Sequence, residues 1–512
     1  MCGIAVLHEL TTTTDANPNP TADAKRTAID ELGSQMLARL EHRGPDGTDS
    51  RRVGRTWLGH TRLAIVDLAC GDQPLPDAAN QRYIVCNGEI YNHGELRDEL
   101  DGPFLTASDS EAALHASING PEGVALLTGM FAFCVADQDD GFLAARDRLG
   151  IKPLYWATHE GVVAFASELQ AFDPDWRALV EEFPPGHVWT PEGGLVRYGE
   201  IHEETREYAD RDTAMDAIRE ALVVGVRRRM MADVGVGVFL SGGLDSSLVA
   251  AIMAREAADG QPVHSFAAGT ADSSDLVAAR VVADHLGLVH HERVYSAEDV
   301  VEVLPTVVAS IESFEPSLVR SAVPNYLLAE LAAQHVKVVL TGEGADELFA
   351  GYDHLRDIAD SDELRAELIR SVEGLHNLNL QRCDRVTMSH GLEARVPFLD
   401  LDLIAVAQRV PIAWKLPGEE GQEKAILRHA FAGWIPDEIL WRVKEQFGDG
   451  SGTAAVMAER ARDLAPDADW EQVSVPGLPR ARSREELGYQ RVFAAHLDGV
   501  RSDRVLGRFA TA

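Results

Sequence analysis

Two strand-like runs, Val234 to Leu240 and Val336 to Leu340, each end in a glycine-bearing turn, and the first is apolar without a break. The first runs into Ser241-Gly-Gly-Leu-Asp-Ser-Ser247 and the second into Thr341-Gly-Glu-Gly-Ala-Asp-Glu347. A strand that is apolar along its whole length is buried on both faces, which calls for a parallel sheet covered by helices. The surrounding pattern alternates accordingly: a helix from Ser246 to Ala258, a strand from Val263 to Ala268, a helix from Leu276 to Leu286 and a strand from His291 to Tyr295. Such open sheets bind ligands at the carboxyl ends of their strands, where both turns fall.

The turns carry suitable chemistry. Glycines let the backbone approach an anion, and the hydroxyls of Ser246 and Ser247, with the free N–H groups of a starting helix, can bond phosphate oxygens. No lysine follows the glycines, so this is not the GxxxxGK[ST] loop. Asp245 suits a phosphate site when a divalent cation bridges the two. Asp346 in the second turn offers another carboxylate for magnesium, and glycines on either side leave Glu343 exposed. A serine-capped glycine turn and a solvated acidic turn are the plainer alternatives. Lys444 is one of only six lysines, a hint that a compact point charge is needed there rather than a stray surface lysine.

The N-terminal half reads differently. From Trp57 to Val196 short apolar runs alternate with Gly, Asn, Asp and Pro, which predicts strands at Arg62–Val66, Tyr83–Cys86, Phe131–Val135 and Val162–Phe165. Helices are expected at Thr27–Leu40, Ser110–Ala116 and, past a polar linker over Arg197–Arg211, Ala214–Met231. The Thr11–Ala24 run of Thr, Asn, Asp and Pro reads as a flexible surface insertion. At the start stands Met1-Cys-Gly-Ile4. Removing the methionine would give Cys2 a free α-amine, whose unperturbed pKa near ~8 suits it to take the thiol proton.

Composition narrows the class. The chain has 82 acidic and 47 basic residues, a net charge of -35 that repels nucleic acid and anionic membranes. Depleted lysine with excess carboxylate suggests a salt-rich cytoplasm, where screening lengths fall to about 3 Å at 1 M. A GC-rich genome would explain the arginines but not the acidity. The five cysteines, at 2, 70, 86, 134 and 383, show no zinc or disulfide spacing, which fits a reducing compartment. No apolar run approaches the ~18 residues of a membrane span, so a cytoplasmic location is expected.

Taken together, the motifs resemble the glutamine-hydrolysing asparagine synthetases. The first half is similar to class II glutamine amidotransferase domains through MCGI, His42-Arg-Gly-Pro-Asp-Gly47, Gly59 to Asp67, Asn87-Gly-Glu-Ile-Tyr-Asn92, Ser108-Asp109 and Arg146 to Tyr155. The second resembles the synthetase domain through SGGLDSS, Gly342 to Glu347, Glu393 to Asp400, Glu423-Lys424 and Lys444-Glu-Gln-Phe447. The resemblance implies an α/β and α+β chain: an Ntn-type αββα sandwich over 1–200, a linker over 201–212, and a parallel-sheet ATP-pyrophosphatase domain over 213–512.

Residue roles follow from the same resemblance. Cys2 would attack the glutamine amide, with Asn87 and the Gly88 N–H as oxyanion donors. Arg62, Glu89 and Asp109 would grip the glutamine zwitterion, and the backbone of Arg62, Leu63, Ala64, Ile65 and Val66 would line its pocket. ATP would meet Phe239, Ala268, Thr341 and Gly342, with Ser241, Gly242, Gly243, Asp245, Ser246 and Ser247 on the pyrophosphate and Asp245 and Asp346 on magnesium. Glu343 is expected as a base for ammonia and Lys444 as a neutraliser of phosphate charge. Arg320 and Lys424 are candidates for a carboxylate or phosphate. Thr341 replaces the usual serine, and Phe239 and Ala268 replace other apolar residues, changes that reshape the adenine pocket.

The implied reaction makes asparagine, glutamate, AMP and pyrophosphate from aspartate, glutamine, ATP and water. The expected partners are those small molecules, without nucleic acid or membrane, and a homodimer is a further expectation. Two other readings remain open: amidation of a different carboxylate, and a glutamine-binding sensor with an inactive synthetase half. Retention of Cys2, Asp245, Glu343 and Lys444 speaks against the sensor.

Overall fold

The computed structural model describes residues 2–10, 21–204, 206–258, 260–358, 360–417, 421–444, 451, 453, 456–457 and 463–507. Twelve strands come from the first 200 residues: β1 Gly3–Glu9, β2 Gly47–Val53, β3 Thr56–Arg62, β4 Leu75–Pro76, β5 Arg82–Ile90, β6 Gly129–Asp137, β7 Phe142–Arg146, β8 Tyr155–His159, β9 Val162–Ala166, β10 Glu181–Glu182, β11 His187–Thr190 and β12 Gly194–Arg197. They form two six-stranded antiparallel sheets, in the orders β10-β8-β9-β1-β3-β2 and β12-β11-β7-β6-β5-β4.

The period-two pattern explains why the sheets stack. In β1, Ile4 and Val6 point into the core shared with Val85, Ala132 and Cys134 of the second sheet. Ala5 and Leu7, on the other face, pack with Leu37 and Leu40 at the end of the helix Thr21–Ala38. Helix Asp109–Ala116 covers β5 on the outside of the second sheet. An edge-rich aromatic cluster of Phe142, Trp156, Phe165, Phe183 and Trp189 fills one end of the sandwich, with ring centroids 5.3–6.1 Å apart. The result is the expected αββα layering.

Beyond residue 230 a five-stranded parallel sheet follows: β13 Val236–Phe239, β14 His264–Gly269, β15 Val289–Val294, β16 Val338–Leu340 and β17 Glu393–Arg395, in the order β15-β14-β13-β16-β17. Connections leave β13 toward β14 on one side, while β16 and β17 lie on the other. The strand order therefore reverses between β13 and β16, and ligands bind at such a switch point. This placement makes neighbours of the Ser241 and Thr341 turns, which lie about a hundred residues apart in sequence.

Differences from the sequence reading are local. The strand expected over Arg62–Val66 ends at Arg62, and 63–66 form a loop whose Ile65 carbonyl accepts from Asp233 N–H across the chain. The helix expected from Thr27 starts at Thr21, so 21–24 are not part of an insertion, while 11–20 lie outside the described residues. Strand β17 and the helices Ala297–Ile311 and Pro316–Ala332 were not anticipated.

The two halves share apolar cores. Leu63, Ile65, Met130, Leu149 and Ile151 of the sandwich pack in one cluster with Val238, Leu240 and Leu248 around the parallel sheet. Helix Asn379–Met388, buried from Leu380 onward, lies at this junction. It also carries a buried charge network. Arg43 bonds Glu168 at 2.6 Å and Asp384 at 2.9 Å, and Arg385 pairs with Glu168 at 3.2 Å and Glu312 at 3.1 Å.

Candidate active sites

Strand β1 is central in its sheet, so Cys2 at its start is held on several sides. Its N–H donates to Asn87 Oδ1 at 3.1 Å, its carbonyl accepts from Arg43 Nε at 3.1 Å, and the next N–H donates to Thr61 Oγ1 at 3.0 Å. Burial pushes the Cys2 thiol up from its ordinary range, opposed by the Leu63 N–H and the Arg62 guanidinium. Asn87 is fully buried, and its Nδ2 donor has no partner among the described residues. An unmet buried donor costs free energy unless a ligand oxygen arrives, as an oxyanion would. Gly88 follows at φ +154°, and a Cβ there would meet Met130 O at 2.1 Å, so no other residue fits beside Asn87.

Two carboxylates lie on the same strand and its covering helix. Asp109 Oδ2 accepts the Ile90 N–H at 2.7 Å, and burial raises its pKa against that bond. Glu89 is buried beside Arg395, with its Oε2 unpartnered among the described residues, and burial drives its pKa well up, helped by Glu393 and Asp109 and opposed by Arg395. A ligand ammonium would satisfy both carboxylates. Arg62 is more committed than expected: it bonds Asp72 at 2.7 Å and the carbonyls of Asp67 and Leu68 at 2.7 and 3.3 Å. Ala64, in the 63–66 loop, donates its N–H to Asp46, which pairs with Lys337 of the other half at 2.6 Å.

The second site is a cleft of about 770 Å³ at the switch point of the parallel sheet. Phe239, Ser241, Gly243, Asp245, Ser246, Ala268, Thr341, Gly342, Glu343, Asp346 and Lys444 all line it. Gly242 and Ser247 do not: Gly242 faces Ala278, and Ser247 is fully buried. The helix Leu244–Glu256 begins inside the loop, so its free N–H groups add to the anion-binding character of the wall. The two turns touch, because a Cβ on Gly342 would lie 2.8 Å from Asp245 Cβ.

Charge in the cleft is organised around two lysines. Lys424 Nζ bridges Asp245 Oδ2 at 2.5 Å and Asp346 Oδ1 at 2.7 Å, while Lys444 Nζ reaches Asp346 at 2.6 Å and the Gly351 carbonyl at 2.9 Å. Burial alone would raise Asp346, but the two ammoniums hold it at about 2. Burial raises Asp245 despite Lys424, and its Oδ1 lacks a partner among the described residues. Glu343 is ion-paired with Arg382, and burial raises its pKa against that guanidinium. Arg320 lines the same cleft but is tied to Glu485 at 2.5 Å. Of the Lys444-Glu-Gln-Phe447 motif only Lys444 lies within the described residues.

Sequence reasoning missed Arg382 and left Lys424 without a direction. Arg382 sits in a helical stretch with no glycine turn beside it, and its partner Glu343 is 39 residues away, a contact that only the fold creates. Lys424 carried two signals, its rarity as a lysine and its place in the Glu423-Lys424 motif, neither of which says where its ammonium points.

A magnesium ion suits these residues. Asp245 and Asp346 already share one cation, and one Asp245 oxygen has no partner among the described residues. Magnesium typically takes one or two carboxylates and fills its sphere with phosphate oxygens and water.

Comparison with known proteins bears on both sites. A family model described as a glutamine amidotransferase domain matches residues 1–184, and one described as asparagine synthase matches 217–361 and 354–505. Fold and sequence thus define a glutamine amidotransferase domain, here an αββα sandwich, joined to an asparagine synthase domain. Asparagine synthetase [glutamine-hydrolyzing] 2 of Arabidopsis thaliana is 40% identical over 451 residues, covering 84% of this chain and 77% of its own. Asparagine synthetase B [glutamine-hydrolyzing] of Escherichia coli (strain K12) is 38% identical, covering 90% and 86%. A probable asparagine synthetase [glutamine-hydrolyzing] of Dictyostelium discoideum is 36% identical, covering 98% and 94%. The chain belongs to the glutamine-hydrolysing asparagine synthetase family.

Proposed function

We propose that this chain makes asparagine from aspartate, glutamine and ATP, with Cys2 as the glutaminase nucleophile and the strand-end cleft as the synthetase site. The observation that carries the reading is the pairing, in one chain, of an N-terminal cysteine beside the unmet Asn87 Nδ2 donor with a phosphate-type cleft at a parallel-sheet switch point.

In the first site, removal of Met1 frees the Cys2 amine, which accepts the thiol proton as sulfur adds to the glutamine side-chain carbonyl. Asn87 Nδ2 and the Gly88 N–H receive the developing oxyanion. The C–N bond breaks, the nitrogen leaves as ammonia, and water then cleaves the glutamyl thioester to glutamate. Glu89 and Asp109 take the glutamine ammonium, and Arg62 faces its carboxylate.

In the second site, an aspartate β-carboxylate oxygen attacks the α-phosphorus of ATP and pyrophosphate departs, leaving an acyl adenylate. Lys424 and Lys444 lie where phosphate charge accumulates. Asp245 and Asp346 would hold magnesium, which neutralises phosphate oxygens when bound. Ammonia adds to the acyl carbon, Glu343 accepts a proton, and the C–O bond to AMP breaks. The raised pKa of Glu343 suits that exchange. The surface charge fits a salt-rich cytoplasm.

Product analysis tests this reading. With ATP, magnesium and glutamine, asparagine and AMP should appear only when aspartate is added, in low and in molar potassium chloride alike or in the latter alone. Glutamate release with neither product would direct the search to another acceptor or to a sensor role.

A further inference from the structure

Asp233 lies in the connection from helix Arg211–Arg229 to β13, inside the asparagine synthase match, yet its N–H and its carboxylate both reach the other half. The N–H donates to the Ile65 carbonyl at 2.9 Å, and Oδ2 accepts the Asp67 N–H at 2.8 Å. One residue thus clasps the 63–67 loop at two points. The start of the same connection is fixed as well, because Arg395 donates to the carbonyls of Arg229 and Met231 at 2.8 and 2.5 Å.

The clasp matters because of what Asp67 holds. Its φ of +49° is left-handed, a conformation that costs a non-glycine residue and persists where surrounding bonds fix it. Those bonds run to both arms of the glutamine clamp. The Asp67 carbonyl accepts Arg62 Nη2 at 2.7 Å, which orients the guanidinium assigned to the glutamine carboxylate. The Asp67 carboxylate accepts the Cys70 N–H at 3.1 Å and the Ala107 N–H at 2.8 Å. Ala107 stands two residues before Asp109, which is assigned to the glutamine ammonium. One turn therefore ties the two arms together, and its own backbone N–H goes to Asp233.

We propose that Asp233 is a positioning residue for glutamine binding: reaching across from the synthetase half, it pins the Asp67 turn that keeps Arg62 and Asp109 in register. This rests on the reading of the first site as a glutaminase. Lys337 supports the same loop only through Asp46 and the Ala64 N–H, whereas Asp233 bonds it directly. Asp233 is exposed, so its bonds compete with water and each contributes modestly. Loss of its carboxylate loosens the grip on glutamine and leaves the strand-end cleft as it was.

Kinetics of the full chain with both nitrogen donors test this. Asp233→Ala is expected to raise the KM for glutamine about three- to tenfold, the effect of one ordinary hydrogen bond, with kcat and ammonia-dependent synthesis unchanged. Asp233→Asn keeps an acceptor oxygen and should behave as the wild type does. A general loss of fold would instead lower activity with both donors. An unchanged KM for glutamine in Asp233→Ala, an equal change with both donors, or an Asp233→Asn variant as impaired as Asp233→Ala would overturn the inference. If Asp233→Ala does not fold, Asp233→Leu, of similar bulk to aspartate but without an acceptor, gives the same reading. Glutamate release separates the two levels of the argument. A wild type that releases none fails the glutaminase assignment and the inference with it, whereas release by the wild type with no KM change in the variant fails the inference alone.

Discussion

Arg395 Nη2 stands 3.3 Å from Glu89 Oε1, so a guanidinium on the outermost strand of the parallel sheet balances a carboxylate of the antiparallel sandwich. Both side chains are buried, and Arg395 is in turn fixed by Glu393 at 2.5 Å. Stranding one partner of a buried pair costs about 3–5 kcal/mol. Arg395→Met is expected to lower the thermal midpoint and to raise the KM for glutamine at least about tenfold, while the KM for ammonia stays unchanged. Steady-state kinetics with both nitrogen donors checks this; equal changes would place Arg395 outside the glutamine pocket's electrostatics.

The division of labour between the sites can be tested at Cys2 and Asn87. Cys2→Ala should abolish glutamine-dependent synthesis and leave ammonia-dependent synthesis intact. Asn87→Ala should cost glutaminase turnover about 10²–10³-fold, the usual value of one oxyanion donor. Loss of ammonia-dependent activity in Cys2→Ala would refute separate roles.

Acid stability should depend on Glu182. Burial opposes its charge, but Arg146 and His376, each at 2.7 Å, hold it at about 2. A depressed folded pKa contributes stability that is present above the unfolded value near 4.5 and lost as pH falls toward 2. Glu182→Gln should therefore flatten the stability profile in that window, by at most about 3 kcal/mol. Glu312 acts in the opposite sense: burial raises it to about 7, so its stabilising contribution is full below about 4.5 and is lost as pH rises through 7. Denaturant titrations across pH 2–8 on Glu182→Gln and Glu312→Gln separate the two.

The net charge of -35 makes a salt requirement testable. Dialysis from molar to millimolar salt is expected to unfold the chain, read by far-ultraviolet circular dichroism. Unchanged ellipticity and an unchanged thermal midpoint would rule out adaptation to high salt.

What could be read from the sequence was whatever local chemistry encodes. The β13 and β16 runs were apparent because burial on both faces leaves an unbroken apolar stretch, and the Ser241 and Thr341 turns because glycines mark close approach. Arg62–Val66 misled, since its apolar residues are buried as a loop against the parallel-sheet half rather than as a strand. Strand β17 is three residues long and too short to show a period. The Lys424 bridge spans 179 residues to Asp245, and the Arg395–Glu89 pair joins two sheets, so neither leaves a mark on its own neighbourhood.

The helix Asn379–Met388 sets how far apart the two chemistries can be. Arg382 and Asp384 are two positions apart, about 200° around the axis, and so project from opposite sides of one turn. One reaches Glu343 in the strand-end cleft; the other reaches Arg43, which holds the Cys2 carbonyl. The partition between the compartments is here a single helix thick. Any rotation of that helix moves a charge in both rooms at once.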